Sequence, residues 1–403
     1  MSDSSISRRP SSESVRSGCS MSILESESDR LPPRVHGLMA WDEKNIDPKS
    51  FVLMLNNEEV QTIKHAVVAI KREKNIFGWE NDNDMIASLS KSTFSLPTGL
   101  SDKLSALSTQ IHNGRGVAIV RGLGAANFND KEAVIAFVGV CAHVCPLRAT
   151  DSYGNITLAH VRDASKDKVL PGAERMGLAG SKLPVAMEFH SDRFSGDVLA
   201  IHVRSEGKGT IGGEQYISSF WKVYNELLET DPTVLETMAA ADWPFELKQG
   251  HHAPPNLEPG PTLFFADGKP MVQHVNAPLR GGAQLPRDKS MPPLSAKQVH
   301  ASKTLEELAH RFSVKLDRRQ GDIQFINNLS IMHARRAYSS AVEGKAADRH
   351  FLRMFLRDSD NEWAKPRLYQ KYFDKAFTSG RPENFPIMDN DPWRIISGRE
   401  SHG

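Results

Sequence analysis

The sequence predicts an α+β protein in which a helical N-terminal layer packs on a β-sandwich or jelly-roll core. Between residues 50 and 140, apolar side chains recur with the spacing of amphipathic helices. Beyond residue 150, short strand-like runs alternate with clusters of Gly, Pro and Asp. Many short strands joined by polar turns are typical of sandwiches and jelly rolls, so the β core is assigned to this second part.

The helical layer rests on three predicted helices and one buried strand. The first helix lies within Ser50 to Lys71, and the second covers Ser101 to Ile111. The run Val117 to Val120 is apolar throughout and predicts a short buried strand. The third helix begins near Asn129, where Glu132 stands at the right distance to complete a capping box.

The β core is predicted from short runs rich in β-branched and aromatic residues. The predicted strands are Ile156 to Val161, Val198 to Val203, Thr262 to Phe265, Met271 to Val275, Ile323 to Ile326 and His350 to Leu356. Two predicted helices interrupt them, at about Trp221 to Leu228 and about Ser295 to Phe312. The absence of an internal repeat favours one domain over two.

The N-terminal segment has a different composition. Residues 2–20 contain nine serines and almost nothing apolar, and they lack the apolar stretch of a secretory signal. Such a segment buries too little surface to offset the entropy lost on ordering. We therefore predict a disordered Ser-rich tail over residues 1–35 and a single domain over residues 36–403.

Charge and cysteine usage limit the partners and the compartment. Lys and Arg number 50 and Asp and Glu 49, a net charge of +1, so no global field attracts nucleic acid or an anionic membrane. No apolar run is long enough to span a bilayer. Three cysteines without a second pair fit a reducing compartment, and we expect a cytoplasmic protein with a small-molecule substrate. Homo-oligomer formation is left open.

The motif that carries chemistry is Phe189-His190-Ser191-Asp192. In a strand, side chains two residues apart point to the same face, so His190 and Asp192 can reach one metal ion. The candidate for a third ligand is His333. Two imidazoles and one carboxylate on one face of an octahedron leave three positions open, as in non-haem iron oxygenases. The tripeptide alone is a weak signal, since a surface polar turn explains it equally well.

A second feature is the run from Arg349 to Arg357. As a strand it places Arg349, Phe351, Arg353, Phe355 and Arg357 on one face and aliphatic residues on the other. Guanidinium groups that point into a cavity bind carboxylates through two parallel hydrogen bonds. An exposed edge strand with Arg for solubility is the alternative, but it does not account for the interleaved phenylalanines.

Four motifs of the sequence, in their order along the chain, resemble those of the taurine dioxygenase and chlorophenoxyacetate dioxygenase (TauD/TfdA) family. The resemblance covers about residues 110 to 360, and two further segments, starting at Gly196 and Trp221, resemble fungal members. The motifs that carry it are His190-x-Asp192, Gly212-Gly213-Glu214-Gln215, Asn327-Asn328 with His333, and Arg349 followed four residues later by Arg353.

The resemblance implies a double-stranded β-helix of the clavaminate synthase-like type, flanked by helices. It implies Fe(II) on His190, Asp192 and His333, 2-oxoglutarate as co-substrate and dioxygen as oxidant. Arg349 pairs with the distal carboxylate of 2-oxoglutarate, and Arg353 lies near the co-substrate or an anionic group of the substrate. Family members usually have Thr or Ser where this chain has Gln215, whose amide could donate the same hydrogen bond.

The implied reaction is oxidation of an unactivated C–H bond of a small, carboxylate-bearing molecule, such as an amino acid or a secondary-metabolite intermediate. Halogenating iron enzymes of this type lack the carboxylate ligand, so Asp192 favours hydroxylation, desaturation or oxidative ring closure. Two alternatives stay open: another metal-dependent enzyme on a jelly-roll scaffold, and a degenerate family member that binds a small acid without catalysis.

Overall fold

The computed structural model describes residues 31–73, 81–151, 156–169, 177–248, 254–390 and 392–393. The predicted disordered tail lies, up to residue 30, outside the described residues. Residues 31–35, which the sequence assigned to the tail, contact the fold. The Tyr224 hydroxyl donates a hydrogen bond to the Pro32 carbonyl, and the Val35 amide donates to the Asn225 side chain. Pro32 and Val35 are therefore bonded to residues of the fold, and the boundary between tail and domain stays a prediction.

The helices agree with the predicted layer and extend it. In the described part of the chain they are α1 Asn57–Glu73, α2 Asp82–Ala87, α3 Thr98–Asn113, α4 Asp130–Val144, α5 Phe220–Thr230, α6 Pro232–Ala239, α7 Ala277–Arg280, α8 Ala296–Arg311 and α9 Gln370–Thr378. The predicted capping box at the start of α4 is present, with Asn129 and Glu132 each accepting from the other's backbone amide. None of these helices is long and apolar enough to cross a bilayer.

The strands are short, as the sequence predicts. In chain order, those of the described residues are β1 Val52–Met54, β2 Val117–Arg121, β3 Leu147–Arg148, β4 Ala159–Arg162, β5 Met187–His190, β6 Val198–Ser205, β7 Thr210–Gly212, β8 Gln215–Ser219, β9 Trp243–Leu247, β10 Asn256–Gly260, β11 Leu263–Ala266, β12 Lys269–Val272, β13 Val314–Lys315, β14 Ile323–Asn327, β15 Ile331–Arg335, β16 Tyr338–Ser340 and β17 His350–Arg357.

Two sheets form the β core. The larger has the order β1-β2-β14-β6-β17-β3, with β4 also paired to β17, and the smaller has the order β13-β8-β15-β5. Three two-stranded ladders, β10-β9, β11-β12 and β16-β7, complete the sheets of the described residues. All pairings except that of β1 with β2 are antiparallel. This is the predicted jelly roll, with helices on its outer faces.

The two faces of the larger sheet pack on different cores. Along β2, Ala118 and Val120 join the core formed with α1, α3 and α4, whereas Val117 and Ile119 face the smaller sheet. This alternation is the period of two expected for a strand. The core between the sheets also takes Ile331 from β15. A third core lies behind the smaller sheet, where α5, α6 and α8 pack.

One predicted helix is shorter than expected. The periodicity predicts a helix within Ser50 to Lys71, but residues 52–54 form β1, which pairs in parallel with β2. Helix α1 begins only at Asn57, because the Asn56 side chain accepts from the Glu59 amide and Glu59 accepts from the Asn56 amide. Pairing with a neighbouring strand therefore overrides the local helical pattern.

Candidate active site

The smaller sheet places the two candidate histidine ligands opposite each other. Strand β15 lies between β8 and β5, and His333 on β15 is the direct partner of His190 on β5. The register shifts by one residue between this pair and the pairing of Arg335 with Met187. Such a bulge re-aims the side chains beside it. The His190 and His333 ring centroids are 4.1 Å apart.

Asp192 follows the end of β5 and is fixed by Asn328. The Asp192 amide donates to Asn328 Oδ1 at 2.8 Å, and Asn328 Nδ2 donates to the Asp192 carbonyl at 2.7 Å. The same Nδ2 donates to the Gly196 carbonyl at 2.9 Å. One fully buried amide therefore holds both ends of the loop that carries Asp192. Asn328 belongs to the Asn327-Asn328 motif, but neither periodicity nor spacing predicts this role for it.

The three predicted ligands converge on one point. His190 Nε2 lies 4.0 Å from Asp192 Oδ1, and His333 Nε2 lies 3.4 Å from Asp192 Oδ2. One donor atom from each of the three residues lies within 4.8 Å of the others. His190 Nδ1 is 2.7 Å from the Glu188 carbonyl, a contact that fixes the proton on Nδ1 and leaves the Nε2 lone pair directed at this point.

The donor set and its environment fit a divalent transition metal. Two imidazole nitrogens and one carboxylate suit iron in particular, and the clustering on one side leaves coordination positions for other ligands. Asp192 is 1% exposed and His190 is 3% exposed, so both are screened from bulk water. Buried carboxylates are normally paired with a cation, and a bound metal ion supplies that charge.

A small cavity of about 60 Å³ is bounded by two of the three predicted ligands, His190 and His333, and we call it the arginine cavity. His190, His333 and Gln215 line one part of it. Four arginines also line it, Arg318, Arg335, Arg349 and Arg353, together with apolar residues such as Leu199, Ile201 and Phe351. Of the four arginines, only Arg349 and Arg353 were predicted from the sequence. A cavity with so many cations beside a metal site selects for a ligand with negative charge.

Arg349 lies in the arginine cavity without a carboxylate partner. Its Nη1 donates to the Gly213 carbonyl at 2.9 Å, and its guanidinium lies over the rings of Tyr338 and Phe351. Among the described residues, no Asp or Glu forms an ion pair with it. Burial, followed by the positive charges of Arg318 and Arg335, lowers the pKa of Arg349 to about 9. A buried guanidinium without an acidic partner is stabilised when an anionic ligand binds beside it.

The Gly212-Gly213 motif leaves space for the Arg349 side chain. Gly213 has a φ of +78°, a conformation that side chains disfavour. A Cβ atom at this position would overlap Arg349 Nη1. Glycine is therefore needed here both for the backbone conformation and for the close approach of the guanidinium.

Strand β17 alternates as the sequence predicts. Leu352 and Met354 join the core with the helices, whereas Arg353 and Phe351 line the arginine cavity. Burial lowers the pKa of Arg353, and the charges of Asp192 and Asp151 oppose this effect. Arg357 lies on the same face but is held elsewhere, in ion pairs with Asp197 and Asp374.

Gln215 also lies at the arginine cavity. It is the first residue of β8, it is buried, and its side chain lines the arginine cavity beside Arg349. The structure therefore brings all six predicted site residues to one place. Their roles toward a co-substrate stay predictions.

Two arginines of the cavity were missed by sequence analysis. Arg335 follows His333 by two residues on β15, so the period of two could have placed it on the same face. Arg318 lies between β13 and β14 in a polar segment, where no periodicity marks it. Its approach to the site is decided by sheet pairing alone.

A larger cavity of about 380 Å³, which we call the outer cavity, shares His190 and Met187 with the arginine cavity. Its walls are residues 178–188 and 276–285, with Glu246 and Lys248 at one end. Most of the surface is aliphatic, from Leu178, Leu183, Val185, Met187, Pro278 and Leu285. Its described lining residues include no Phe, Tyr or Trp. The volume lies within the range of about 300–1,000 Å³ that is usual for sites of drug-sized ligands.

Comparisons with known sequences give one consistent result. A profile described as "Taurine catabolism dioxygenase TauD, TfdA family" matches residues 82–355. The chain is 30% identical over 376 residues to the taurine hydroxylase-like protein SAT17 of Stachybotrys chartarum, with 92% of each protein covered. It is 26% identical over 259 residues to FR-33289 synthase of Streptomyces rubellomurinus, which covers 61% of this chain and 70% of that protein.

Solved structures are similar in fold. An asparagine oxygenase in complex with Fe(II), 2S,3S-3-hydroxyasparagine and succinate has a TM-score of 0.56 at 13% identity, and the match covers 76% of this chain and 93% of that chain. The non-heme iron oxygenase OrfP in complex with Fe and alpha-ketoglutaric acid has a TM-score of 0.52 at 12% identity, with 78% of this chain and 98% of that chain covered. These similarities confirm the predicted fold class.

Proposed function

The chain belongs to the TauD/TfdA family of dioxygenases, and from this premise we propose that it binds Fe(II) through His190, Asp192 and His333 and oxidises a C–H bond of a small molecule. The observation that carries the proposal is the convergence of these three donors beside the arginine cavity. When bound, Fe(II) and 2-oxoglutarate couple the reduction of dioxygen to the oxidative decarboxylation of 2-oxoglutarate and so supply the oxidant.

The chain's own residues orient the co-substrate. Arg349 is assigned to the distal carboxylate of 2-oxoglutarate, because it is buried, carries no ion pair among the described residues and faces the cavity beside the metal ligands. A guanidinium can bind a carboxylate through two parallel hydrogen bonds, which fixes its direction as well as its position. Gln215 is assigned a supporting hydrogen bond from its amide, in place of the hydroxyl that family members usually have.

Arg353 is assigned to the boundary between co-substrate and substrate. Its guanidinium is attracted by the Asp192 carboxylate and lines the arginine cavity. The presence of Asp192 as a third protein ligand favours hydroxylation, desaturation or oxidative ring closure over halogenation. The choice among these three depends on which C–H bond the protein presents to the metal.

We assign the substrate to the outer cavity, because this cavity contacts His190 directly. Its aliphatic walls suit a secondary-metabolite intermediate with an aliphatic body. Its volume of about 380 Å³ favours this class over the smaller free amino acids. Lys248 and Arg280 line it, each paired with a lining glutamate, and we assign them to an anionic group of such a molecule.

The test is succinate formation from 2-oxoglutarate by the purified protein with Fe(II) in air. We expect His190→Ala, Asp192→Ala and His333→Ala each to lose bound iron and to reduce succinate release to background, since each ligand is required for the facial site. His300→Ala, at an exposed position on α8, is the matched control and should behave as the unaltered protein.

Iron content is measured by metal analysis and folding by thermal unfolding in the same samples. If all three ligand variants kept the iron content and succinate release of the unaltered protein, the metal assignment would be wrong. If the unaltered protein bound iron and 2-oxoglutarate but released no succinate with any small molecule, a binding protein without catalysis would be the better description.

A further inference from the structure

Arg318 approaches the arginine cavity from outside the motifs of the family. Its guanidinium pairs with Glu206 through two hydrogen bonds, Nε to Oε1 at 3.0 Å and Nη2 to Oε2 at 2.9 Å. The side chain is 8% exposed, although the Glu206 side chain is 38% exposed. Arg318 is therefore held at the inner end of an ion pair whose acidic partner faces solvent.

One backbone carbonyl holds Arg318 and Arg349 together. The Gly213 carbonyl accepts from Arg318 Nη2 at 2.9 Å and from Arg349 Nη1 at 2.9 Å. Both guanidinium groups also lie over the Phe351 ring, at 5.2 Å and 4.4 Å from its centroid. Two like charges at this separation repel each other in a buried site, and an anion between them removes the repulsion.

Arg318 has an unused donor at the cavity. Its Nη1 atom is buried and has no hydrogen-bond partner among the described residues. Arg318 and Arg349 both line the arginine cavity. A buried donor without a partner costs about 1–3 kcal/mol, and more when it is charged, so such atoms usually mark a ligand or a bound water.

We propose that Arg318 is a second anchoring residue for the distal carboxylate of 2-oxoglutarate, which accepts from Arg349 and from Arg318 Nη1 together. The inference rests on the proposed function, because it needs 2-oxoglutarate in the arginine cavity. Glu206 compensates the second charge, so the pair of arginines presents one net positive charge to one carboxylate. Gly213 sets the spacing of the two guanidinium groups.

The experiment measures binding rather than turnover. Iron-loaded protein is titrated under nitrogen by calorimetry with 2-oxoglutarate and with oxalate, which keeps the metal-chelating end but lacks the distal carboxylate. For Arg318→Met we expect roughly tenfold to hundredfold weaker binding of 2-oxoglutarate, the value of a hydrogen bond to a charged group. Oxalate affinity should change by less than about threefold, since that ligand does not reach Arg318.

Arg319→Met is the matched control, since Arg319 is the neighbouring residue, is 62% exposed and pairs with Asp317. Glu206→Gln separates a direct from a structural role, because it keeps the guanidinium and removes its acidic partner. This variant should bind 2-oxoglutarate at least as tightly as the unaltered protein. The 2-oxoglutarate affinity of Arg318→Lys should lie between those of Arg318→Met and the unaltered protein, since one ammonium cannot make the same set of contacts.

Besides unchanged 2-oxoglutarate binding in Arg318→Met, two results would overturn the inference. One is an equal loss of 2-oxoglutarate and oxalate affinity in Arg318→Met, which would mean that the substitution disturbs the metal site. The other is an equal loss of 2-oxoglutarate affinity in Glu206→Gln, which would mean that the ion pair is needed for structure. If the unaltered protein does not bind 2-oxoglutarate, the proposed function fails; if it binds and Arg318→Met binds equally, only this inference fails.

Discussion

At the scale of single residues, the site holds more positive than negative charge. Arg318 is balanced by Glu206, but Arg349 has no acidic partner among the described residues. Placing a guanidinium in a protein interior is costly, and the lowered pKa of Arg349 reflects that cost. A protein keeps such a group where a ligand completes the pair.

This leads to a prediction for Arg349. Replacing it with Ala should raise the 2-oxoglutarate concentration needed for half-maximal succinate release. Losing one partner of a buried charge pair costs about 2–5 kcal/mol, or roughly thirtyfold to several-thousandfold in affinity. Arg349→Lys should recover part of the loss, because an ammonium keeps the charge but not the forked contact.

The measurement is the rate of succinate release against 2-oxoglutarate concentration, with Arg319→Ala as the control. Unchanged concentration dependence in Arg349→Ala would mean that another cation anchors the co-substrate. Iron content should stay unchanged, because Arg349 is not placed among the metal ligands.

At the scale of elements, Arg335 ties the ligand strand to one wall of the outer cavity. Its Nη2 atom donates to the carbonyls of Leu183 at 2.8 Å and Val185 at 2.6 Å, with a longer contact of 3.3 Å to Gly180. Arg335 is two residues from His333 on β15. The position of this wall is thus set by the same strand that carries a metal ligand.

We predict that Arg335→Met loosens this wall. Carbonyl groups left without their donor cost about 1–3 kcal/mol, so the segment should open more often while β15 stays paired. Hydrogen–deuterium exchange should rise in peptides covering residues 180–187. Arg336→Met changes the neighbouring exposed residue and should leave exchange there unaltered. Equal exchange in both variants would show that Arg335 does not hold the wall.

At the scale of the whole molecule, two of the hydrophobic cores are built on opposite faces of the same strands. Strands β2, β6, β14 and β17 contribute to the core with the helices on one face and to the core between the sheets on the other. We therefore propose that residues 36–403 unfold as one domain, with a single transition in calorimetry. Residues 31–35 should unfold with it, because they are bonded to α5.

Buried histidines predict the response of this fold to acid. Burial lowers the pKa of His202 to about 3 and that of His350 to about 4, whereas an unfolded histidine titrates near 6.5. Below pH 6.5 the unfolded chain binds protons that the folded chain does not. The stability from each group is therefore complete above pH 6.5 and falls with decreasing pH, by about 1.4 kcal/mol per pH unit per histidine.

The check is the free energy of urea unfolding between pH 7.5 and pH 5, both about one unit or more from the unfolded pKa. His202→Gln should show a shallower loss of stability than the unaltered protein, and His300→Gln is the matched control at an exposed position. The same slope in His202→Gln and in the unaltered protein would contradict the prediction.

The local sequence was sufficient to predict a feature when the residues that determine it lie within one strand or at one helix end. The period of two placed Phe351 and Arg353 on the cavity face of β17, and the capping residues marked the start of α4. Asp192 lies beyond the end of β5, where Asn328 positions it. His333 was predicted as the third ligand from the residue types that a metal site needs, and Gln215 was added by the family resemblance; the roles of both stay predictions. The strand alternation and the helix start could be predicted because side-chain direction follows from backbone geometry within a few residues.

Tertiary structure alone decided which strands and loops lie next to each other at the site. The pairing of β15 with β5 brings His333 opposite His190, and the path of the chain before β14 brings Arg318 beside Arg349. The walls of the outer cavity come from segments almost one hundred residues apart in the chain. Contacts of this kind depend on long-range sheet pairing and packing, for which neither periodicity nor spacing in one segment carries a signal.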